Sequence, residues 1–416
     1  TMGDPSGNGP EISVKALMKP ETYEVCRPLI VGDAKCMEAA IPTVKGAESM
    51  KINVIHGVKE AKFEPGIIDV YDLDVVDLSK RLYKKDRKKL AEIMQADVLD
   101  AAYKESMTMC GEAAFQYVKK AIELAMAGEV DATVTNALNK DHINMAGHHY
   151  SGHTEIYADY THTAKYSMML AHDELRVIHV STHVSLRQAC DLCKKERVLD
   201  VIRIANEGCK ALGIKEPKIG VAGLNPHCGE NGMFGREEIE EIQPAIDEAL
   251  AEGINIPEKA PTPPDTVFSK ALGGWYDIVV VMYHDQGHIP LKVKGFVYNK
   301  ELKKWDAVAG VNVTLGLPII RTSVDHGTGE GHAGDGSANE LSLVNAMDYA
   351  IRMANAKKKK MTFMESLKAQ FSTKSLVLIP IAVGINLIGG TLCSTLKLPL
   401  FLDMIGTIVI ACLSGP

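Results

Sequence analysis

Three histidines follow three apolar segments of this chain, and histidine is the side chain that most often binds metal ions in proteins. His183, His227 and His284 come after segments whose composition is typical of strands buried in a parallel sheet. In open α/β sheets, functional groups gather at the carboxyl ends of the strands. Three imidazoles at one sheet edge predict a divalent-metal site with open positions for a substrate. The alternative for each histidine taken alone is a strand-end side chain with only local hydrogen bonds.

Cationic and polar side chains lie near strand segments further along the chain. Lys292 comes eight residues after His284, Arg321 follows an apolar run, and Asn312 precedes another. Such groups suit a phosphate or a carboxylate, because a guanidinium can donate two parallel hydrogen bonds to either anion. An ordinary solvated charge is the alternative, and it fits Lys292 better than Arg321.

The segment Ser151–Glu155 brings further donors, including His153 and Thr154. On its own it also fits the start of a capped helix, because Ser or Thr precedes Glu.

Two glycine-rich stretches resemble loops that approach a ligand. Residues 3–11 read GDPSGNGPE, which is not the GxGxxG fingerprint of dinucleotide-binding folds, so we favour a tight turn there. Residues 322–336 are glycine-dense and precede a helical segment, a pattern that can wrap a nucleotide with backbone amides. A surface loop is the alternative for this second stretch.

Composition restricts the class of protein. The chain has 416 residues, of which 46% are hydrophobic, and a formal net charge of -7. This length supports a large core, and the scattered, mildly acidic charge argues against a nucleic-acid partner. Nine cysteines in no dense cluster predict reduced thiols and a cytoplasmic enzyme.

Strand-like runs alternate with amphipathic helical segments through most of the chain, which predicts a layered α/β fold with a mainly parallel sheet. The predicted helices include 113–127, 197–212 and 237–250, and the predicted strands include 311–315 and 317–322. This alternation ends near residue 356.

The C-terminal part has a different character. Residues 357–374 begin with four lysines and are predicted to be a basic linker. Residues 375–392 carry no charge, and residues 398–415 carry only Asp403. Each run is long enough to cross a bilayer, so we predict transmembrane segments within 375–416, with the lysines on the cytoplasmic side. A truncated fusion or two joined reading frames would explain such an appendage, and we favour joined frames. Its likeness to the start of a membrane transporter subunit is weak.

Together, the polar blocks of residues 1–355 resemble the 4-hydroxythreonine-4-phosphate dehydrogenases of the PdxA type. The matching blocks are GDPSGNGPEI near the start, Asn139-Lys140, SGHTE at 151–155, THVSLR at 182–187, GLNPHCGENG at 223–232, MYHDQG at 282–287 and GVNVTLGLPIIRTSVDHGT at 310–328. Their order matches the family throughout.

The resemblance implies an isocitrate/isopropylmalate-dehydrogenase-like fold over residues 1–356, with two interleaved α/β domains around a cleft. It implies a homodimer with its site near the subunit interface. The implied catalytic metal ligands are His183, His227 and His284, which would hold one zinc, magnesium, manganese or cobalt ion. The implied contacts to a small phosphorylated hydroxy acid are His153, Thr154, Lys292, Asn312 and Arg321.

The implied cofactor is NAD, lined by Asp325, Gly327 and Gly334. The implied reaction is oxidation of the C3 hydroxyl of 4-phosphohydroxy-L-threonine, followed by decarboxylation to 3-amino-2-oxopropyl phosphate in pyridoxal phosphate biosynthesis. A close branch of the family instead converts 4-phospho-D-threonate or 4-phospho-D-erythronate to dihydroxyacetone phosphate and carbon dioxide. No residue of the sequence decides between an amine and a hydroxyl at C2.

One departure from the family pattern leaves further alternatives open. Gly-Glu-Gly-His follows Thr328, where the family usually has a more apolar stretch, and this leaves NAD or NADP preference open. The altered loop also allows a catalytically inactive domain. A membrane-anchored binding protein is the alternative from another functional class.

Overall fold

The computed structural model of the protein describes residues 1–301 and 304–370, with the backbone alone for residues 296–299, 304–308 and 363–370. The chain divides into two units, Thr1–Ala354 and Asn355–Pro416. The candidate site residues all belong to the first unit. The transmembrane segments predicted within 375–416 lie outside the described residues. Within the described part, no helix is both long and apolar enough to span a bilayer.

Twelve strands and thirteen α-helices alternate along the described chain. The strands are β1 (Ile30–Gly32), β2 (Lys51–Ile55), β3 (Ile67–Asp72), β4 (Thr133–Thr135), β5 (Ser167–His172), β6 (Leu175–His179), β7 (Ile219–Val221), β8 (Ile278–Val281), β9 (Phe296–Asn299), β10 (Lys304–Val308), β11 (Val311–Leu315) and β12 (Arg321–Val324). The helices are α1 (Gly9–Leu17), α2 (Pro20–Val25), α3 (Ala34–Ala40), α4 (Arg87–Leu90), α5 (Ala96–Met126), α6 (Lys140–Met145), α7 (His153–Tyr160), α8 (Leu186–Leu192), α9 (Lys195–Ala211), α10 (Gln243–Ala251), α11 (Val267–Leu272), α12 (His284–Gly295) and α13 (Leu341–Gln370). The fold is therefore α/β.

A seven-stranded sheet with the order β4-β12-β11-β5-β6-β8-β7 carries most of the candidate residues. Strands β6, β8 and β7 are parallel neighbours, as are β12 and β4. The pairs β5–β6, β5–β11 and β11–β12 are antiparallel. The prediction of a mainly parallel sheet is thus wrong for this sheet, because the short turns from β5 to β6 and from β11 to β12 can join only antiparallel strands.

Helices cover both faces of the seven-stranded sheet, as the side-chain alternation of a buried sheet requires. On one face, Ile178 and Val280 pack with α9, α10 and α13. On the other face, Val177 and Val279 pack with α11 and α12. The central strands are therefore apolar on both sides, and their polar residues are confined to the strand ends.

A second sheet of three strands, ordered β1-β3-β2, is entirely parallel. Apolar residues of α1, α3 and the second half of α5 pack with it in a separate cluster. A hairpin of β9 and β10 completes the described strands.

Candidate active site

Arg321 is the most buried charged side chain near the predicted site, with 1% of its surface exposed. Its guanidinium donates hydrogen bonds of 2.9 Å to the hydroxyls of Thr314 and Thr135. Its Nε is buried, and no described residue provides it with a hydrogen-bond partner. Burial lowers the pKa of Arg321 to about 10. Among the residues that the structure describes, no carboxylate lies within ion-pair distance of this guanidinium, so the site holds an unneutralised cation.

The register of β11 against β12 explains how the neighbours of Arg321 are positioned. Thr314 pairs directly with Arg321 across the two strands. Asn312 lies two residues before Thr314 and therefore points to the same face of the sheet. Its side-chain oxygen is 3.5 Å from the Arg321 guanidinium. The structure thus brings the predicted residues Asn312 and Arg321 together.

His153 and Thr154 form the first turn of α7, beside this cation. The Thr154 hydroxyl is 3.3 Å from that of Thr314, which itself accepts a hydrogen bond from Arg321. Burial and the charge of Arg321 lower the pKa of His153 well below its usual value. The imidazole is therefore neutral at physiological pH, and its buried Nε2 has no partner in the described structure. A neutral imidazole, hydroxyls and an unpaired guanidinium together suit an anionic group.

Lys292 lies in the same helix as His284 but two turns away, about 12 Å along the helix axis at the usual rise per residue. Its ammonium is 2.6 Å from the carboxylate of Asp325, which follows β12. Burial raises the pKa of Asp325, and the charge of Lys292 opposes that shift. The predicted substrate contact Lys292 and the predicted cofactor contact Asp325 are therefore bonded to each other.

The carboxyl ends of β6, β8 and β7 lie side by side, and they bring His183 and His284 together at one edge of the sheet. The two ring centroids are 5.9 Å apart. Ser185 and Gln188 form a capping box at the start of α8, which fixes the chain two residues beyond His183. The Asp285 carboxylate holds Nδ1 of His284 at 2.7 Å, which leaves Nε2 for another partner.

Two further histidines, His179 and His288, pack beside this pair and were not predicted as part of the site. His288 stacks on His284 at 3.6 Å between ring centroids. Burial and the neighbouring imidazoles lower the pKa of His288 to about 3, and burial lowers that of His179 to about 4. A side chain at Gly287 would come 2.8 Å from Nε2 of His179, so this close packing requires glycine. The sequence offered one signal, since His179 ends a strand and His288 lies four residues after His284.

His227 lies in a loop with an uncommon backbone. Residues 227–231 all have positive φ, between 44° and 78°, and four of the five are not glycine. The His227 side chain is 65% exposed, with Nδ1 3.4 Å from the Glu230 carboxylate. Gln286 links this loop to the His284 segment, because its amide donates to the Gly223 carbonyl and its oxygen accepts from the Met282 amide.

The imidazoles of His183 and His284 are suitable metal ligands, although the described residues of this chain do not form a complete set of three ligands. Desolvation and the nearby charge of Lys140 lower the pKa of His183, so its imidazole is in the neutral form that binds metals. His183 and His284 are close enough to share an ion. Within the described residues, however, no cluster of three histidine, cysteine or acidic side chains has metal-binding geometry. His227 does not complete the pair in this copy of the chain.

A cavity of about 340 Å³ extends from Thr154 to two of the histidines. Thr154 lies in its lining, as do Glu155, His179, His183 and Arg197. A ligand in this cavity could therefore contact both Thr154 and His183.

A second cavity, of about 570 Å³, is lined by the glycine-rich loop. Gly327 and Glu330 contribute to it from this loop, and Lys84, Lys85 and Asn139 contribute from elsewhere. Gly334 is not in this lining, because its amide donates to the buried carboxylate of Glu11. Of the three predicted cofactor contacts, Gly327 alone lines the cavity.

The N-terminal glycine loop holds the second loop in place, a role that the sequence did not reveal. The Glu11 carboxylate accepts hydrogen bonds from the amides of Gly334, Gly336 and Ala338 at 3.0–3.3 Å. The Asn8 amide donates to the Thr328 carbonyl at 2.7 Å. The amides expected to wrap a nucleotide are therefore partly used within the protein.

His142 lies between two carboxylates behind the 570 Å³ cavity. Its Nδ1 is 2.7 Å from the fully buried Asp4, and its Nε2 is 3.8 Å from Glu330. Burial opposes protonation of His142, but the hydrogen bond and charge of Asp4, together with Glu330, outweigh it and raise the pKa. Glu330 also accepts from Asn139 and lies 3.4 Å from Lys84.

Comparison with known proteins identifies the family of this chain. The family model described as pyridoxal phosphate biosynthetic protein PdxA matches residues 24–350. A D-threonate 4-phosphate dehydrogenase of Salmonella typhimurium is 42% identical over 354 residues, which are 85% of this chain and 98% of that protein.

Solved structures agree in fold. The 4-hydroxythreonine-4-phosphate dehydrogenase of Burkholderia phymatum is 40% identical, with a TM-score of 0.67 over 85% of this chain and 96% of that chain. That of Klebsiella pneumoniae is 37% identical, with a TM-score of 0.67 over 85% and 98%. The predicted resemblance is confirmed over the enzyme part, and the chain belongs to the PdxA family of dehydrogenases.

Proposed function

We propose that this chain oxidises the C3 hydroxyl of a 4-phosphorylated four-carbon hydroxy acid with NAD and a divalent metal, and that the product then loses carbon dioxide. The observation that carries the proposal is the buried guanidinium of Arg321, which has no carboxylate partner in the described structure beside the neutral His153. A buried unpaired charge is costly, and a bound phosphate would neutralise it.

Two substrates fit this proposal, and they differ at C2. The solved relatives are named for 4-hydroxythreonine 4-phosphate, whose C2 carries an amine. The relative from Salmonella typhimurium is named for D-threonate 4-phosphate, whose C2 carries a hydroxyl. The amine substrate is our leading candidate, and 4-phospho-D-threonate or 4-phospho-D-erythronate is the second.

In the proposed mechanism, Arg321, His153, Thr154 and Asn312 hold the terminal phosphate, so that its binding energy orients C3 towards the histidines. His183, His227 and His284 would hold the metal. When bound, the metal would supply Lewis-acid polarisation of the C3 oxygen, and NAD would supply the hydride acceptor. Lys292 would contribute a further donor to the phosphate, and in this structure its ammonium is bonded to the Asp325 carboxylate.

We further propose that the metal site is completed across a homodimer. The support is that His183 and His284 are neighbours while His227 is exposed, so a second copy could bring the third imidazole. Mixing a His227→Ala protein with a His284→Ala protein tests this. A shared site predicts recovered activity in the mixture, whereas a site within one chain predicts none.

The two-domain arrangement of isocitrate and isopropylmalate dehydrogenases belongs to the same proposal for residues 1–356. The two separate sheets, each with its own apolar cluster, support it. Residues 357–374 would then be a linker to the segment 375–416.

The deciding experiment is a substrate panel with metal and NAD, in which NADH formation is followed by absorbance. We expect turnover with one of 4-phosphohydroxythreonine, 4-phosphothreonate and 4-phosphoerythronate, and loss of turnover with a chelator. Full activity in excess chelator would refute the metal-dependent mechanism.

A further inference from the structure

The loop that carries His227 adopts a conformation that its sequence does not favour. His227, Cys228, Glu230 and Asn231 are all left-handed, and only Gly229 adopts such angles at little cost. A left-handed conformation costs an L-residue about 1–2 kcal/mol. Four such residues in succession persist only if the surrounding structure determines them, and such strain is concentrated at functional sites.

The side chain that determines this loop is Glu238, which is 3% exposed. Its Oε1 accepts hydrogen bonds of 2.7 Å from the amides of Leu224 and Asn225, where the chain enters the loop. Its Oε2 accepts from the Asn225 side chain at 3.0 Å. The carboxylate thus fixes the backbone two residues before His227.

Glu238 also contacts the middle of the loop. A Cβ added at Gly229 would lie 2.9 Å from Oε2 of Glu238. The carboxylate is therefore in contact both with the start of the loop and with the one glycine inside it. Across the described residues, no lysine, arginine or histidine forms an ion pair with Glu238, so its charge is stabilised by N–H donors of the loop.

Glu238 itself is held by an uncommon helical turn. Residues Glu238–Ile242 form a π-helix, in which the Gln243 amide donates to the Glu238 carbonyl. Turns of this kind are rare and are frequent near functional sites. The Glu238 side chain, at the start of this turn, contacts the loop.

We propose that Glu238 is a positioning residue for His227. It acts through the backbone of residues 224–229, holds the left-handed turn against its conformational cost, and so presents the imidazole in one orientation for metal binding. The inference rests on the proposed function, because it treats His227 as a metal ligand.

The test is the Co²⁺ affinity of the full chain, measured by isothermal titration calorimetry, for wild type, Glu238→Gln and His227→Ala. Glu240→Gln is the matched control, because Glu240 is on the same turn, is exposed, and forms an ion pair with Arg236 at the surface. Residues that support metal ligands change affinity by about 10–100-fold. We expect Glu238→Gln to bind Co²⁺ about tenfold more weakly, and Glu240→Gln to match wild type.

A rescue variant separates positioning from general stability. Asn231→Gly lowers the conformational cost of the same turn, because glycine adopts positive φ readily. If Glu238 acts by positioning, Glu238→Gln combined with Asn231→Gly recovers most of the Co²⁺ affinity. Recovery of thermal stability without recovery of Co²⁺ affinity would overturn the inference.

The remaining outcomes are also decisive. If Glu238→Gln binds Co²⁺ as tightly as wild type while His227→Ala binds it more weakly, the positioning role of Glu238 is refuted and His227 remains a metal ligand. Wild-type affinity in His227→Ala would refute the proposed metal ligand itself. If Glu238→Gln does not fold, Asn225→Ser removes one donor to the same carboxylate, and it should weaken Co²⁺ binding by about threefold if the positioning role is correct.

Discussion

At the scale of single residues, we expect the buried charge of Arg321 to contribute more to ligand binding than to stability. Arg321 bonds two threonine hydroxyls but no acid in the described structure. Removing an unpaired buried charge relieves its desolvation cost, whereas removing one member of a buried ion pair leaves the other charge buried without a partner. Binding and stability should therefore respond in opposite directions at Arg321.

We predict that Arg321→Met leaves the free energy of unfolding within about 1 kcal/mol of wild type, because the relieved desolvation offsets two unpaired hydroxyls. Loss of two charge-assisted hydrogen bonds should weaken binding of a phosphorylated substrate by at least about 100-fold. Urea unfolding and substrate calorimetry measure the two effects. Arg176→Met is the control, since Arg176 bonds the Asp277 carbonyl within the fold. That change should destabilise the protein without altering phosphate affinity.

His142 gives a prediction about pH. Its pKa is raised in the folded state, so its contribution to stability is complete below its unfolded pKa of about 6.5 and is lost as the pH rises through the folded value. Wild type should therefore exceed His142→Gln in unfolding free energy by more at pH 6 than at pH 9. An equal difference at both pH values would contradict the proposed charge interaction with Asp4.

At the scale of elements, one buried carboxylate organises the glycine-rich loop. We predict that Glu11→Gln lowers the unfolding free energy by about 1.5–3 kcal/mol, because an amide nitrogen replaces one acceptor oxygen. Limited proteolysis within residues 329–338 should become faster as well. Glu340→Gln, which breaks an ion pair with the half-exposed Lys19, should cost about 1 kcal/mol or less. Unchanged proteolysis in Glu11→Gln would show that other contacts hold the loop.

The sequence predicted the helices and strands whose apolar residues recur with the period expected for a buried helix or strand. Strand β11 has the predicted bounds, and α9 differs from the predicted helix 197–212 by two residues at its start and one at its end. Strand β5 was missed because Ser167–His172 lacks β-branched residues, and it is a strand through its pairing with β6 and β11. Helix α5 begins 17 residues before its predicted start at 113, since one of the buried positions in its first half is the polar Ser106 and about half of the residues there are exposed. The predicted strand 317–322 is shifted to Arg321–Val324.

The part of the site that was predicted consists of residues next to recognisable apolar segments. Residues at strand ends, such as His284 and Arg321, are visible because an apolar run precedes them. Glu11 and His142 act through contacts with residues far away in sequence, and Glu238 acts through a loop 9–14 residues before it. No pattern of helix or strand periodicity marks such contacts. Pairing of Lys292 with Asp325 likewise depends on where α12 lies against β12.

At the scale of the whole molecule, the enzyme part should function without the C-terminal segment. All candidate site residues lie within Thr1–Ala354. We predict that a chain ending at Lys360 forms NADH at the wild-type rate per mole of protein, measured by absorbance with the preferred substrate. Loss of activity that returns when residues 361–416 are restored would contradict the division at residue 356.

The hydrogen bonds from the glycine-rich loop to Glu11 have a consequence for the kinetics of cofactor binding. A loop whose amides already have an intramolecular acceptor is ordered when the chain folds, so little conformational entropy remains to be lost when a nucleotide arrives. Preorganisation of this kind favours association in a single step, without a slow closing phase after encounter. Stopped-flow fluorescence of NAD binding should therefore show one phase whose rate rises linearly with NAD concentration.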